Sequence, residues 1–415
     1  MTNDPEKPTP ISPIRPWSSF LIRDFRLVWA AIFCANTSMQ MRNVTNLYQV
    51  YHLSGSSMQL GINGFFQAFP FVCFGLLGGV LADTFDRKRM MIFTQGLNLI
   101  PALVLAILTA SGQIKVWHIN VLSLLTSSLQ VLGGPARQAI VPSLVPPGLL
   151  LNAVTLTTMM QQGTQLMGPV LAGYLIDFVG LDKAYYCDAA LLFPSLVCVL
   201  FVRSSGRPRG EIRKITLHSL VEGFEFLWHT QIILSLFLLD FFAVLVGYYR
   251  PILPIFAHDV FKVTAGGLGA LYAAPAIGAM LGSALVLGVG NIRRQGAVAI
   301  MATCGFALSL GFFGLAKWFW IGLIAVGALG FTDSVSVAIR RTMVQYLAPD
   351  QMRGRAASLL TVFAQTTNAL GAVIAGAAAA LLGAPNALLL GSVLCAASIA
   401  AVCWTIPQLW RYRSD

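Results

Sequence analysis

Long apolar runs recur along the whole chain and leave room for little else. A bilayer core of about 30 Å needs about 20 apolar residues for each helical span. Twelve such runs lie at roughly 27–50, 58–82, 90–111, 117–134, 152–176, 184–202, 230–256, 266–290, 296–315, 318–339, 357–382 and 385–406. Because the apolar residues are continuous and do not alternate, the runs predict helices and not the strands of a transmembrane barrel.

The composition agrees with a membrane protein. Of the 415 residues, 56% are hydrophobic and only 10% are charged, whereas a soluble domain carries about 25% charged residues. A soluble enzyme, a coiled coil and a disordered scaffold are therefore excluded. We predict an all-α membrane protein with twelve transmembrane helices in two six-helix bundles.

The positive charges indicate how the chain is oriented. In a soluble protein a net charge of +11 would suggest nucleic acid as a partner. Here the cationic residues cluster between apolar runs, and 21 of the 27 Lys and Arg fall on one side if both termini share it. Cytoplasmic loops carry this excess, so we expect both termini in the cytoplasm, the lipid bilayer as a partner and no nucleic acid.

The longest hydrophilic interruption lies at the midpoint of the sequence. It covers roughly 203–216 and is followed by an amphipathic stretch, 217–228, that would lie on the inner leaflet. The predicted organisation is a cytoplasmic N-terminal segment at 1–26, a first bundle at 27–202, a cytoplasmic linker at 203–229, a second bundle at 230–406 and a cytoplasmic tail at 407–415.

An internal repeat supports two equivalent halves. Residues 136–173 and 339–376, shifted by 203, are identical at 13 of 38 positions. Shared apolar composition does not readily explain matched polar pairs such as Arg137/Arg340. Two parallel repeats with a site at their interface are a transporter architecture.

A short motif joins the second and third spans. It reads Gly79-x-x-x-Asp83-x-x-Asp86-Arg87-Lys88 and resembles the G-x-x-x-D-x-x-G-R-K signature of the major facilitator superfamily. The resemblance implies that Gly79, Asp83, Arg87 and Lys88 form a loop that latches the outward-facing state. Asp86 departs from the family pattern, because it stands where the family usually has Gly.

Two further segments resemble parts of the same superfamily. Gly168-Pro169-x-x-Ala172-Gly173 resembles the motif of its antiporters and exporters, with small residues that let the fifth and eighth helices pack closely. Pro-Ala-Arg-Gln at 135–138 and the Arg-rich stretch at 348–355 resemble the bacterial subfamily that contains enterobactin exporters and macrolide efflux pumps. This resemblance covers nearly the whole chain and implies an inner-membrane exporter.

Polar residues inside spans are costly and often mark a transport pathway. Three spans carry such residues at helical spacing, which indicates a water-accessible cavity, although hydrogen bonding between helices is the alternative for any one of them. The candidates for the substrate cavity are Asn36, Gln40, Arg42, Asn43, Thr158, Gln162, Gln165, Gln365 and Asn368.

The few charges within spans are candidates for coupling. Asp240 lies near the middle of the seventh span and Asp333 near the middle of the tenth. Either could take up a proton in alternation with substrate, or could instead be a structural partner for an arginine. Arg42 is either a contact for an anionic substrate or a partner for an acid, and Asp188, near the outer end of its span, is interpreted as structural.

These features predict a secondary active transporter. The resemblance implies export of an amphipathic organic compound, a siderophore or a drug, across the bacterial inner membrane by proton antiport with alternating access. The alternatives are a lipid or lysophospholipid flippase, an importer of the same fold, or a non-transporting receptor. We expect a monomer with no metal and no cofactor, since the sequence contains no CxxC pair, Walker A sequence or other catalytic motif.

Overall fold

Twelve long helices make up almost all of the computed structural model, which describes residues 17–204, 206, 230–290, 292–347 and 353–411. No strand occurs in these ranges. The helices are α1 (Arg23–Ser54), α2 (Ser57–Thr84), α3 (Arg87–Ala110), α4 (Val116–Leu144), α5 (Leu150–Phe178), α6 (Leu181–Leu200), α7 (Gln231–Gly247), α8 (Ala265–Val289), α9 (Gln295–Leu315), α10 (Phe319–Leu347), α11 (Arg353–Leu382) and α12 (Ala384–Thr405). A short helix, α13 (Gln408–Arg411), follows. The predicted amphipathic stretch at 217–228 lies outside the described residues.

The twelve helices agree with the twelve predicted spans. Among the described residues, eight qualify as membrane spans on length and hydropathy alone, and α4 with α5 add a ninth if that sharply bent pair is counted once. The others include α1, which is long enough but carries the polar residues discussed below.

The seventh span does not continue as one regular helix. Beyond α7 the chain forms a 3-10 turn at Arg250–Ile252, one α-helical turn at Leu253–Ile255 and a π-helical turn at Phe256–Val260. Pro251 and Pro254 explain the interruption, because each lacks the N–H that a regular helix would use.

The helix starts extend the internal repeat to both halves of the chain. The start of α1 at Arg23 and the start of α7 at Gln231 differ by 208, and α2/α8 and α3/α9 start with the same shift. For α4/α10 the shift is 203, and it is 203 again for α6/α12. The second half is therefore the first half again, shortened by five residues around the α9–α10 connection.

Among the described residues, the hydrophobic core joins the bundles at one end. Twelve antiparallel spans bring the start of α1 and the end of α12 to the same end, here called the terminal end; the end where α1 meets α2 is the distal end. One core cluster at the distal end combines Tyr185 of the first bundle with Phe256 and Phe313 of the second. Toward the terminal end each bundle has a cluster of its own, one around Phe25 and one around Leu236. The two bundles are thus packed together distally.

Candidate transport site

The second bundle contains a polar cavity between α7, α9 and α10. Its lining includes Asp240, Thr303, Asp333, Ser336 and Arg340, around about 260 Å³ of empty space that includes open solvent. The guanidinium of Arg340 pairs with the carboxylate of Asp240, and both side chains are largely buried. The two acids expected from the sequence therefore line one cavity, and an arginine of α10 links that helix to the acid of α7.

Asp333 differs from Asp240 in its partners. Asp333 is exposed, and among the described residues no group donates a hydrogen bond to it or forms an ion pair with it. It precedes Arg340 by seven residues, two turns and about 10.5 Å along α10, and both line the same cavity. One acid is thus held by an arginine, and the other is open to protons or ligands.

The first bundle contains a second polar cavity, between α1, α3, α4 and α6. It encloses about 370 Å³ of empty space, again including open solvent, and Arg42, Gln95, Asn98, Gln130 and Arg137 are among its lining residues.

Arg42 is bound within this bundle. Its Nε donates to Asp188 Oδ2 at 2.5 Å and its Nη2 to Asp188 Oδ1 at 3.1 Å, and Arg42 is only 3% exposed. Ser38 also donates to Asp188, and Arg42 Nη1 lies 3.3 Å from Thr126 Oγ1. Of the two interpretations left by the sequence, this geometry favours the partner for an acid.

Two of the polar helix faces carry the same local pair. On α1, Asn43 Nδ2 donates to Gln40 Oε1 at 3.4 Å, and on α11, Asn368 Nδ2 donates to Gln365 Oε1 at 3.2 Å. All four residues are partly exposed. Asn46, three residues beyond Asn43, is buried and hydrogen-bonded to Ser123 and Tyr185, so the polar face of α1 divides between open space and the bundle interior.

The remaining cavity candidates are at least partly open. Asn36 on α1 and Gln162 on α5 are partly exposed, and Gln165 is exposed. Thr158 is also exposed, and its hydroxyl donates to the carbonyl of Val154 one turn earlier. Burial therefore does not exclude any of these four side chains from contact with a ligand.

The glycines of the antiporter-type motif mark close helix contacts. A Cβ on Gly168 would lie 2.5 Å from Gln40 Cβ of α1, and one on Gly173 would lie 2.4 Å from the carbonyl oxygen of Ala265 in α8. The carbonyl of Pro169 approaches Gly269 of α8 in the same way. Because any side chain would collide here, α5 joins the two bundles through residues that have none.

The α2–α3 turn is tied to the rest of the first bundle. Arg87 Nη1 donates to the carbonyl of Ala139 at 3.0 Å, and Lys88 Nζ donates to the carbonyl of Val202 at 2.6 Å. Asp86, the departure from the family pattern, caps α3 by accepting from the backbone N–H of Lys88 and Arg89. The surroundings of Gly79 and the side chain of Asp83 lie outside what the structure describes, and the latch remains a prediction.

Sequence reasoning missed the polar contacts that cross between bundles at the distal end. Asp177, near the end of α5, accepts from Thr264 Oγ1 at 2.6 Å and from the backbone N–H of Ala265 and Gly266 at 2.9 and 2.7 Å. Tyr51 of α1 donates to Asp259 of the second bundle. No local pattern marks such pairs, which are far apart in the sequence.

An aromatic group beside Asp240 was also missed. Phe363 of α11 lies with its ring centre 5.5 Å from that of Phe237 and 5.4 Å from that of Phe241, both on α7. Phenylalanines are so common in apolar spans that composition gives no reason to select these three.

A family model described as transmembrane secretion effector matches residues 14–411 of the chain. Enterobactin exporters EntS from Shigella boydii serotype 18 and from Escherichia coli O81 are each 27% identical to it over 358 residues, which are 86% of this chain and 86% of the relative.

Solved structures share the fold. A POT family transporter in complex with a thioalcohol-conjugated peptide superimposes with a TM-score of 0.75 at 13% identity, covering 93% of this chain and 96% of the other. A bacterial homologue of the human lysosomal transporter Spinster, inward-facing and unoccupied, gives a TM-score of 0.72 at 14% identity, covering 97% and 99%.

Two repeated six-helix bundles with polar cavities in their membrane-spanning parts define a transporter of the major facilitator fold, as the sequence predicted. The chain belongs to the transmembrane secretion effector family of that superfamily. It is therefore a multi-pass protein of the bacterial inner membrane, a transporter and not an enzyme.

Proposed function

We propose that this protein is a secondary active exporter that moves an amphipathic organic compound out of the cytoplasm in exchange for protons. The observation that carries the proposal is the shared cavity of Asp240, Asp333 and Arg340. Its lining carries two acids and one arginine, so one acid has no basic partner there, and an ionisable residue within a membrane span is by default a functional-site hypothesis.

The two acids have different roles in this scheme. Asp240 is neutralised by Arg340 and holds α7 to α10. Asp333 is open to the cavity and has no described partner, so it is the group that takes up and releases the proton. Loss of its charge on protonation changes the electrostatic balance around Arg340, which favours a different packing of α7 against α10.

The predicted orientation places the terminal end in the cytoplasm. The distal end, where the core is continuous between bundles, then faces outward and is closed. This arrangement fits the inward-facing state, in which a cytoplasmic substrate would enter between the bundles.

The substrate class follows from the relatives and from the chemistry of the exposed groups. The relatives are named enterobactin exporters, and enterobactin is a siderophore. The Gln40–Asn43 and Gln365–Asn368 pairs supply hydrogen-bonding groups, and the partly exposed Phe241 and Phe363 supply aromatic rings. A partly aromatic molecule with polar substituents, such as a siderophore or a drug, matches this combination.

Transport in energised inverted vesicles tests the proposal. The panel contains a catecholate siderophore, fluorescent drugs and a fluorescent lysophospholipid, each measured with and without a protonophore. Protonophore-sensitive uptake of the siderophore or a drug supports the proposal. Movement of the lipid alone would favour a flippase, and no movement of any compound in a verified preparation would favour a non-transporting receptor; either outcome contradicts the proposal.

Asp333→Asn tests the coupling residue directly. One proton per cycle across one pH unit supplies about 1.4 kcal/mol, or about tenfold accumulation, and the variant should lose this accumulation while energy-independent exchange of substrate persists. Asp182→Asn, at the start of α6 and outside both cavities, is the matched control and should accumulate substrate like the unsubstituted protein.

Asp240 requires a paired substitution. Removing one partner of a buried ion pair costs about 3–5 kcal/mol because the other charge is left uncompensated, so Asp240→Asn is combined with Arg340→Gln. If Asp333→Asn and the double variant both accumulate substrate normally, this cavity does not couple transport to protons.

A further inference from the structure

The two polar cavities occupy equivalent positions in the two halves of the molecule. With the shifts of 208 and 203 residues established by the helix starts, five lining residues of the first cavity correspond to five of the second. The pairs are Ala35/Ala243, Gln95/Thr303, Asn98/Phe306, Gln130/Asp333 and Arg137/Arg340. The repeat therefore allows the two cavities to be compared position by position.

Both cavities have an arginine at the equivalent position, but the two acids of the second cavity have no acidic counterpart in the first. Arg340 has Asp240 as its ion-pair partner and shares its cavity with Asp333. At the positions equivalent to these two acids the first half has Ile32 and Gln130, which carry no charge. The lining of the second cavity has one positive and two negative charges, a net charge of −1.

The first cavity has the opposite balance. Arg42 and Arg137 line it, and the only acid bound to either among the described residues is Asp188, which pairs with Arg42. Arg137 makes no hydrogen bond and no ion pair within the described part of the chain. These described groups leave the first cavity with a net charge of +1.

Unpartnered polar groups surround this excess charge. Gln95 is 3% exposed, and neither its Nε2 nor its Oε1 has a hydrogen-bond partner in the structure. The Oδ1 of Asn98, one turn further along α3, is also buried without a partner. A Cβ on Gly133, one turn before Arg137, would lie 2.6 Å from Thr94 Oγ1, so α3 and α4 are in close contact at this level.

We propose that the cavity of the first bundle is a binding site for a small monovalent anion. An uncompensated charge inside a membrane protein costs several kcal/mol, as does a buried polar group without a partner. An anion held by the guanidinium of Arg137 and the amide Nε2 of Gln95 removes both costs. The cavity is open to solvent, and water beside the anion supplies donors for Gln95 Oε1 and Asn98 Oδ1.

The proposal is independent of the proposed transport activity and is tested by stability. Chloride and acetate serve as probes, the first for an inorganic anion and the second for a carboxylate. Each replaces gluconate at constant ionic strength while the thermal unfolding of the purified full-length protein is followed in detergent. A ligand that binds only the folded protein raises the unfolding temperature in a saturable way.

Two variants remove the unpaired positive charge of the cavity, one by deleting the arginine and the other by adding a carboxylate. Arg137→Gln removes the charge that binds it, and Gln130→Glu supplies a fixed carboxylate where the second cavity has Asp333. In each variant the chloride or acetate concentration that gives half of the maximal stabilisation should rise by at least about tenfold. This is the loss of affinity expected for one charge-assisted hydrogen bond. Arg294→Gln, an exposed arginine before α9, is the matched control and should keep the dependence.

The outcomes separate the sources of the anion and can overturn the site. Stabilisation by chloride assigns an inorganic anion, and stabilisation by acetate alone assigns a carboxylate group. If neither anion stabilises the unsubstituted protein, only water occupies the cavity and the proposal is wrong. It is also wrong if the anion effect persists in both Arg137→Gln and Gln130→Glu.

Discussion

At the scale of single residues, Asp24 shows how one carboxylate ties distant parts of the chain together. It lies in the first turn of α1 and accepts hydrogen bonds from the backbone N–H of Arg203 and Ser204, just beyond α6, and from the Ser204 hydroxyl. Partial burial by itself would raise the pKa of Asp24, but the hydrogen bonds and the charge of Arg23 outweigh it and lower the pKa. The folded protein therefore stabilises the ionised form.

Asp24→Asn should lower stability in a way that depends on pH. A carboxylate with a lowered pKa contributes stability above its unfolded pKa of about 3.9, and this contribution disappears as the pH falls through the lower folded value. For a partly buried carboxylate with these hydrogen bonds we expect a loss of about 1 kcal/mol at pH 7, measured by thermal unfolding, and a smaller loss at pH 4. A loss that is the same at both values would contradict an ionic role.

Single residues also show which parts of the candidate site could be predicted from the sequence and which could not. Intramembrane charge was enough to select Asp240 and Asp333, and the repeat was enough to match Arg137 with Arg340. The partner of Arg42 could not be chosen, because Asp188 lies 146 residues away and only the packing of α1 against α6 brings them together. Gln95 and Asn98 were not selected, since a polar side chain in a span becomes informative only when its lack of a partner is visible.

At the scale of elements, the helices and the contact between α5 and α8 were predictable, and most other helix contacts were not. Apolar runs of sufficient length predict all twelve helices, because each must satisfy its own backbone in the bilayer. The break in the seventh span was not predicted; there Pro251 and Pro254 interrupt the regular helix. The antiporter-type motif predicted the contact of Gly173 with α8, and Gly163 of the same helix, which is outside the motif, faces open space.

Gly173→Ala should loosen the distal contact between the bundles. Its Cβ would lie 2.4 Å from the Ala265 oxygen and 2.9 Å from Gly266 Cα, and overpacking of this kind costs about 1–3 kcal/mol. Such an energy shifts the ratio of distally open to closed molecules by about 5–150-fold. Spin labels at the exposed Gln113 and Lys317, in a cysteine-replaced background, report the distance between the bundles at this end.

Gly163→Ala is the matched control for this experiment. It adds the same methyl group to the same helix, where no atom lies within 4 Å of the new Cβ. Its distance distribution should match that of the unsubstituted protein. If Gly173→Ala gives that same distribution, the glycine contact does not control closure.

At the scale of the whole molecule, the distal end is held shut by apolar packing and by two carboxylates that cross between bundles. The packing cannot open gradually, because interiors are close-packed and their interfaces switch between discrete arrangements. The carboxylates of Asp177 and Asp259 add directional contacts that must break in the same step. A site reached from both sides of the membrane in turn requires this end to open, so these contacts set how often it does.

Asp177→Asn should therefore raise the population that is open at the distal end. Its carboxylate accepts from two backbone N–H groups at the start of α8 and interacts favourably with the positive end of that helix, and the neutral amide loses the charge from this cap. With a cysteine in place of Asn43, about 16 Å from the distal end of α1, a membrane-impermeant maleimide applied outside whole cells should label Asp177→Asn faster than the parent. Asp182→Asn, an acid at the same end with no described partner, should label at the parental rate. Equal rates in both variants would mean that apolar packing alone keeps the distal end closed. A faster rate for Asp177→Asn with reagent on the cytoplasmic face, and not with reagent outside, would place the distal end in the cytoplasm and reverse the predicted orientation.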